Sequence, residues 1–125
     1  MREDASNWLK QAEIDLATAK DNLKINRFFA TAFFCQQAAE KALKAYALEH
    51  LRENIKTHSL LALAKNMKLP KELMEAMIDL TPDFIISRYP DAANAVPADI
   101  YDSKKARQKI IFAERVVEWV LARIK

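Results

Sequence analysis

Residues 28–50 read FFATAFFCQQAAEKALKAYALEH and predict a long helix at the centre of a helical bundle. The first part of this segment is apolar on nearly every side, which is typical of a helix with neighbours all around it. Further along, an apolar face and a polar face separate. The apolar face carries Phe28, Ala32, Cys35, Ala39, Ala42 and Tyr46, and the polar face carries Gln37, Lys41 and Lys44. We therefore expect the rest of the chain to pack around this helix.

Amphipathic helices are predicted on both sides of the central one. The first runs from Ser6 to Lys24, and the last begins after Asp102 or Ser103, which would cap it, and continues to the C-terminus. Both repeat apolar residues at alternating steps of four and three. These residues are Ala5, Leu9, Ala12, Leu16, Ala19 and Leu23 in the first helix and Ala106, Ile110, Ala113, Val117, Val120 and Ile124 in the last.

Two shorter helices are predicted between these long ones. Thr57 or Ser59 would cap a helix whose apolar residues extend to Met67. Pro70 would stand in the first turn of the next helix, whose inward-facing residues are Leu73, Met74, Met77 and Leu80. Closely connected helices of this kind form an antiparallel up-and-down bundle, here of four to five helices. The fold class is thus all-α, and we expect residues 1–125 to form a single domain.

Residues 81–102 read TPDFIISRYPDAANAVPADIYD and follow no sustained helical period. They contain three prolines, which interrupt helices. A connection of this length inside a small domain is usually functional or mobile. We predict a loop here, with a helical extension through Phe84, Ile85 and Ile86 near its start.

The composition favours a helical protein of the reducing cytoplasm. The 125 residues include no glycine, which β-hairpins and bulges normally use. The net charge of +3 is only mildly basic, so it allows a phosphate contact without requiring one. Cys35 is the one cysteine and fits a core position, and the two histidines are too few for a metal site. No apolar run approaches the roughly 20 residues of a membrane span, so we expect a cytoplasmic protein without membrane association. We also expect neither a metal nor a cofactor.

Four segments of the chain resemble the bacterial and archaeal HEPN family (higher eukaryotes and prokaryotes nucleotide-binding), in the family's order and spacing. They are AEIDLATAKDNL at 12–23, FFATAFFCQQAAEKALKAYAL at 28–48, THSLLAL at 57–63 and SRYPDA at 87–92. The block at 36–45 is the most specific part, and the similarity covers nearly the whole chain. The resemblance implies a helical bundle that commonly forms homodimers. It also implies a toxin–antitoxin pair with a minimal nucleotidyltransferase as the partner.

The resemblance further implies a ribonuclease motif that this chain lacks. Many proteins of the family are metal-independent endoribonucleases, with an arginine followed within a few residues by a histidine and a site formed across the dimer. Arg88 matches the arginine, but Ala93, Asn94 and Ala95 stand where the histidine should follow. No histidine occurs after His58. Family members without the motif are thought to bind nucleotides or other proteins.

Arg88, Tyr89 and His58 are the candidates for a catalytic or binding site. Arg88 would place a cation over a phosphate, and His58 would transfer a proton. An exposed tyrosine beside the arginine suits base stacking. Structural alternatives stay open: His58 would bond the backbone at a helix end, and Arg88 would pair with Asp91 or a helix carboxylate while Tyr89 packs the loop down.

The polar face of the central helix is a second candidate site for a nucleotide or phosphate. Gln37, Lys41 and Lys44 would line a groove there. The alternative is that Lys44 pairs with Glu40, since residues four apart on a helix are neighbours in the favourable order for an ion pair.

Three functions follow from these observations. We favour a homodimer that binds a nucleotide or RNA phosphate near Arg88, or that partners a minimal nucleotidyltransferase. The alternative is a metal-independent endoribonuclease, a toxin, that uses Arg88 with His58 or Tyr89. The third is a ligand-free helical dimerisation module, since Trp8 and Trp119 are predicted in the core or at a dimer interface.

Overall fold

The first two long helices form an antiparallel pair in the computed structural model, which describes residues 1–65 and 67–125. Helix α1 spans Glu3–Lys24 and α2 spans Phe28–Tyr46. The turn between them places Asn26 in the left-handed region, which asparagine tolerates better than most residues. A π-helical turn, Ala47–Leu51, extends α2 and ends at Arg52, also left-handed. The central helix therefore continues to the end predicted from the sequence.

The remaining helices complete the bundle around α2. Helix α3 spans Leu60–Ala64, α4 spans Lys71–Leu80, and the last long helix spans Ser103–Arg123. That last helix packs on α2, α4 and α1. The prediction of an all-α antiparallel bundle is confirmed. Asn66, which falls inside the predicted third helix, lies outside the described residues. None of the described helices is long and apolar enough to cross a bilayer.

Two of the predicted helix caps are present. The Ser59 hydroxyl accepts a hydrogen bond from the Ala62 amide at 3.2 Å, and the Asp102 carboxylate accepts one from the Lys105 amide at 2.7 Å. Both side chains satisfy amides that have no partner within the first turn of a helix. Asp102, rather than Ser103, is therefore the cap of the last helix.

Residues 81–102 fold into three one-turn helices rather than an irregular loop. They are α5, Asp83–Ile86, α6, Pro90–Ala93, and α7, Pro97–Ile100, so the long helix Ser103–Arg123 is α8. The predicted helical extension through Phe84–Ile86 is present as α5. Pro90 and Pro97 each begin a new turn, a position at which proline is favoured. Each restart changes the direction of the chain, which explains why the sequence shows no continuous period.

The core combines alanines, most of them on α1, α2 and α8, with larger apolar side chains that include residues of α2, α3 and α4. Alanines occupy many of the buried positions, so the helices approach closely, and the largest fully buried apolar residues include Leu43, Leu60, Leu63, Met77 and Leu80. Cys35 is fully buried as predicted, and burial, with the Asp83 carboxylate adding to it, raises the pKa of its thiol. Trp8 and Trp119 are partly buried against the core.

Met74 departs from the prediction for α4. It is 37 % exposed, whereas Leu73, Ala76, Met77 and Leu80 are buried. These four lie at steps of three, one and three along the helix and form one face, and Met74 falls just beyond its edge. The prediction that Met74 faces inward was wrong because the apolar face is narrower than the run of apolar residues.

Replacing Asp102 by alanine should lower the free energy of unfolding by about 1 kcal/mol, because the Lys105 amide loses its acceptor. Urea unfolding followed by circular dichroism measures the change. Ser103→Ala, at the next position, is the matched control and should leave the stability within about 0.5 kcal/mol of wild type. Equal losses from the two variants would contradict the assignment of the cap.

Candidate active site

Glu40 is a buried carboxylate on α2 that gathers three donors. Its side chain is only 3 % exposed. Lys44 Nζ lies 3.1 Å from Oε2, and Gln36 Nε2 donates to Oε1 at 3.1 Å. The third donor is His58 Nδ1, 3.0 Å from Oε1. Gln36 and Lys44 reach the carboxylate because they lie one helical turn before and after it. The predicted Glu40–Lys44 ion pair is confirmed.

His58 lies two residues before the start of α3, and its ring is held on two sides. Because an ionised carboxylate can only accept, the ring nitrogen that contacts Glu40, Nδ1, carries a proton, and in the neutral imidazole Nε2 is then the acceptor. The ring stacks on Phe84 with centroids 3.8 Å apart and planes 12° apart. The side chain is nevertheless 57 % exposed. The expectation that this side chain bonds the backbone was wrong: the His58 backbone carbonyl accepts from Gln36, while the imidazole bonds a carboxylate.

Arg88 lies just after α5 and is fixed by aromatic rings and a backbone carbonyl. Its Nε donates to the Phe84 carbonyl at 2.7 Å. The guanidinium carbon lies 4.4 Å from the centroid of the Phe84 ring, 4.8 Å from that of Phe33 and 4.9 Å from that of Tyr89. The expected pairing with Asp91 or a helix carboxylate is absent from the described part of the chain. Asp91 instead accepts from the Ala92 amide at 3.0 Å.

Phe84 brings the histidine and the arginine to one place. His58 and Arg88 both lie against its ring, although 30 residues separate them in the chain. A cavity of about 260 Å³ opens beside His58 and Phe84, and its lining residues are His58, Ser59, Thr81, Pro82, Phe84 and Ile85. The segments 36–45, 57–63 and 87–92 thus meet here. The site combines a proton acceptor, oriented by a buried carboxylate, with an exposed cation.

The other predicted site residues do not share this arrangement. Tyr89 is exposed and contacts Arg88. Gln37 donates to Gln36 Oε1 at 2.7 Å, and Lys41 pairs with the buried Asp15. Lys41 and Lys44 line two different cavities, both of which also contain Trp8. The structure therefore does not gather Gln37, Lys41 and Lys44 into one groove, and both lysines have carboxylate partners.

A second buried polar cluster, which sequence reasoning missed, holds α5 in place. The Tyr101 hydroxyl donates to Asp83 Oδ1 at 2.5 Å. Lys109 Nζ lies 2.7 Å from Asp83 Oδ2 and 2.7 Å from Asp79 Oδ1, so it joins α5 to α4 and α8. In the described residues, the Lys109 ammonium is the group that compensates the buried Asp83 Oδ2. Asp83 immediately precedes Phe84, so this cluster anchors the ring between His58 and Arg88.

Burial and mutual attraction shift the titration of this cluster. Burial raises the pKa of Asp83, and the Lys109 ammonium and Tyr101 hydroxyl offset this only in part. Burial and the hydrogen bond to Asp83 raise the pKa of Tyr101. Burial alone would lower the pKa of Lys109, but attraction to Asp83 and the hydrogen bond to Asp79 outweigh it and raise the pKa. All three groups therefore hold their protons more tightly in the folded chain than in water, and Tyr101 and Lys109 are the two whose ordinary pKa values lie at alkaline pH.

The free energy of unfolding should fall as the pH rises above about 9. The raised pKa values of Cys35, Tyr101 and Lys109 mean that the unfolded chain releases these protons first, from the ordinary values of 9.0, 10.0 and 10.5. When the unfolded chain loses a proton that the folded chain keeps, unfolding becomes more favourable. Urea unfolding at pH 8 and pH 10.5, with a reductant present, measures the loss. Tyr101→Phe should show a smaller loss than wild type, and an equal or larger loss would contradict the prediction.

The fold and the site together define an all-helical protein whose polar site is assembled from three separate segments. The chain belongs to the HEPN domain family, whose model matches residues 5–124. Its structure is similar to that of TT1696 from Thermus thermophilus, with a TM-score of 0.91, 32% identity, and coverage of 97% of this chain and 98% of the other. It is also similar to ST0689, an archaeal HEPN homologue, with a TM-score of 0.86, 30% identity, and coverage of 99% and 100%.

Two further relatives are more distant in sequence. A HEPN domain protein from Thermotoga maritima has a TM-score of 0.72 and 26% identity, over 94% of this chain and 99% of its own. A curated protein of Methanocaldococcus jannaschii, named "Putative toxin MJ1304", is 27% identical over 91% of this chain and 84% of its own length. The resemblance inferred from the four sequence segments is therefore confirmed.

Proposed function

We propose that this chain is an endoribonuclease of the HEPN type that cleaves RNA with His58 as general base and Arg88 as the cation over the phosphate. The observation that carries the proposal is the His58 ring, hydrogen-bonded to buried Glu40 and lying on the same Phe84 ring as Arg88. A carboxylate that fixes one imidazole nitrogen and leaves the other as acceptor is the arrangement general bases use. The histidine and the arginine thus come from separate segments of the chain and contact one aromatic ring.

The chemistry requires one proton acceptor and one cation. His58 Nε2 takes the proton of a ribose 2′-hydroxyl, whose oxygen then bonds to the adjacent phosphorus. The bond from phosphorus to the 5′-oxygen of the next nucleotide breaks, and that oxygen takes a proton from water. The products end in a 2′,3′-cyclic phosphate and a 5′-hydroxyl. Arg88 compensates the negative charge on the phosphoryl oxygens, and Glu40 stabilises the imidazolium. Because side chains meet both requirements, the reaction as drawn is metal-independent.

A toxin role is part of the proposal. The Methanocaldococcus jannaschii protein named "Putative toxin MJ1304" is similar over most of both chains. Cleavage of cellular RNA stops growth, so an endoribonuclease of this kind would act as a toxin, and we expect it in the cytoplasm, where its substrate lies. We also propose that the chain forms a homodimer and that a minimal nucleotidyltransferase is its partner. Light scattering of the purified protein and co-purification with that partner test these two points.

The Arg88→Ala variant tests the proposed function. In EDTA, wild-type protein should cleave a mixed RNA pool, and the variant should be slower by about 100-fold, because the developing charge on the phosphate loses its cation. Arg107→Ala is the matched control, since Arg107 is an exposed arginine on α8 that does not line the cavity beside His58. We expect it to cleave like wild type. Intact RNA after long incubation with wild-type protein, or equal rates for the two variants, would overturn the proposal.

Binding without cleavage is the second candidate function. The observation that favours it is the exposed Arg88 guanidinium, which is fixed by the Phe84 carbonyl and has no carboxylate partner in the described residues. Such a group would hold an RNA or nucleotide phosphate even if no bond were cut. Binding of a labelled RNA that is lost in Arg88→Ala, with no cleavage by wild type, would select this function. If the wild-type protein neither bound nor cleaved RNA, the ligand-free dimerisation module would remain as the function.

A further inference from the structure

His58 also lines a second cavity, of about 370 Å³, on the side of α1. The other lining residues are Trp8, Lys44, Asn54, Ile55, Lys56 and Thr57. The first cavity shares only His58 with this one. The general base of the proposed reaction therefore stands between two cavities, one beside Phe84 and one beside Trp8.

One aromatic and one aliphatic side chain form the apolar part of this second cavity. Trp8 and Ile55 are partly buried and pack against the core. Lys44 Nζ lies 5.1 Å from the centroid of the Trp8 ring and is held there by the ion pair with Glu40. The carboxylate that orients His58 thus also fixes a wall of the cavity. A preformed apolar wall lowers the entropy cost of binding a flat ligand.

The polar part of the cavity offers several hydrogen-bonding groups and little net charge. Asn54 supplies an exposed amide with donors and an acceptor. The Thr57 hydroxyl oxygen accepts from the Ser59 amide at 3.1 Å, and its own hydrogen is available to donate. Lys56 is exposed and forms no ion pair within the described part of the chain. Lys44 is neutralised by Glu40, so a single exposed cation serves this cavity.

We propose that this cavity binds the nucleobase of a nucleotide next to the scissile phosphate, and that the substrate is therefore single-stranded RNA. The proposal rests on the proposed function and names its substrate class. An aromatic wall, an amide, a hydroxyl and one cation are the groups that recognise an unstacked base and its phosphate. The volume lies at the lower end of the range for small-ligand sites, which suits a base rather than a larger ligand. A base within a duplex would have to leave its stack to enter.

Tryptophan fluorescence tests the proposal directly. The chain has two tryptophans, so Trp119→Phe leaves Trp8 as the single reporter beside the cavity. Titration with adenosine and uridine 5′-monophosphates should quench this signal in a saturable way, and ribose 5-phosphate, which lacks the base, should not. Trp8→Phe, which retains Trp119, is the matched control and should show no saturable quenching. Absence of quenching by both nucleotides, or equal quenching by ribose 5-phosphate, would overturn the base site.

Kinetics separate the base site from catalysis. Trp8→Leu should raise the KM for a short single-stranded RNA about tenfold and change kcat by less than about threefold. Asn54→Ala, at an exposed position where folding is not in question, should weaken nucleotide binding about threefold to tenfold. Quenching without RNA cleavage would support the base site and reject the nuclease. Cleavage with normal KM in both variants would reject the base site and leave the nuclease.

Discussion

His58→Ala should lower the rate of RNA cleavage by about 10²–10⁴-fold, the range expected when a general base is removed. The fold should survive, because the His58 side chain is more than half exposed and its backbone carbonyl keeps the hydrogen bond from Gln36. Initial rates on a short labelled RNA in EDTA measure the effect. The loss should appear in kcat rather than in KM, since the imidazole takes its proton in the transition state.

His50→Ala is the matched control for this variant. His50 is also exposed, but its Nε2 lies 2.8 Å from the Ile124 carbonyl and its ring contacts Tyr46, at the other end of α2. We expect it to cleave RNA like wild type. A His58→Ala variant that kept more than about a tenth of the wild-type rate would remove His58 from the mechanism. Arg88 would then remain as a phosphate-binding group.

Lys109→Met should lower the free energy of unfolding by about 3 kcal/mol near neutral pH, because removal of one partner leaves the buried Asp83 charge uncompensated. Urea unfolding measures the loss. Part of it should be recovered as the pH falls, since burial raises the pKa of Asp83 and the neutral acid needs no cation. Loss of the Lys109 contacts also releases α5, so cleavage should weaken along with stability.

Two further variants make this prediction specific. Lys104→Met removes an exposed lysine of the same helix and should change the stability by less than about 0.5 kcal/mol. The double variant Asp83→Leu/Lys109→Met removes both charges and should regain much of the stability that the single variant loses. A double variant as unstable as Lys109→Met would show that packing, and not the unpaired charge, causes the loss.

Local patterns in the sequence predicted the helices well. The alternating apolar steps of α1 and α8 and the apolar start of α2 depend on neighbours along one helix, which the sequence displays directly. The Glu40–Lys44 pair was predicted for the same reason. The pattern failed where the apolar face was narrow, at Met74, and where prolines divide 81–102 into single turns.

The site was predicted in its parts but not in its assembly. His58 and Arg88 were both identified as candidates, yet their common contact with Phe84 depends on how α5 packs, which no local spacing reveals. Gln36 and Glu40 offered one overlooked signal. These two polar residues, four apart, follow a helix start that is apolar on nearly every side, and such groups need partners when they are buried. The Asp83–Tyr101–Lys109 cluster gave no comparable signal.

The most direct test of the central claim compares two versions of one short single-stranded RNA, cleaved in EDTA and identified by mass spectrometry. One version is all-ribose and the other has a single 2′-deoxynucleotide on the 5′ side of the cleaved bond. The proposed mechanism predicts that the all-ribose RNA yields a 2′,3′-cyclic phosphate and a 5′-hydroxyl, while the deoxy version stays intact at that bond. If both versions were cut there, the 2′-hydroxyl would not be the nucleophile. If neither were cut, His58 and Arg88 would form a binding site without nuclease activity.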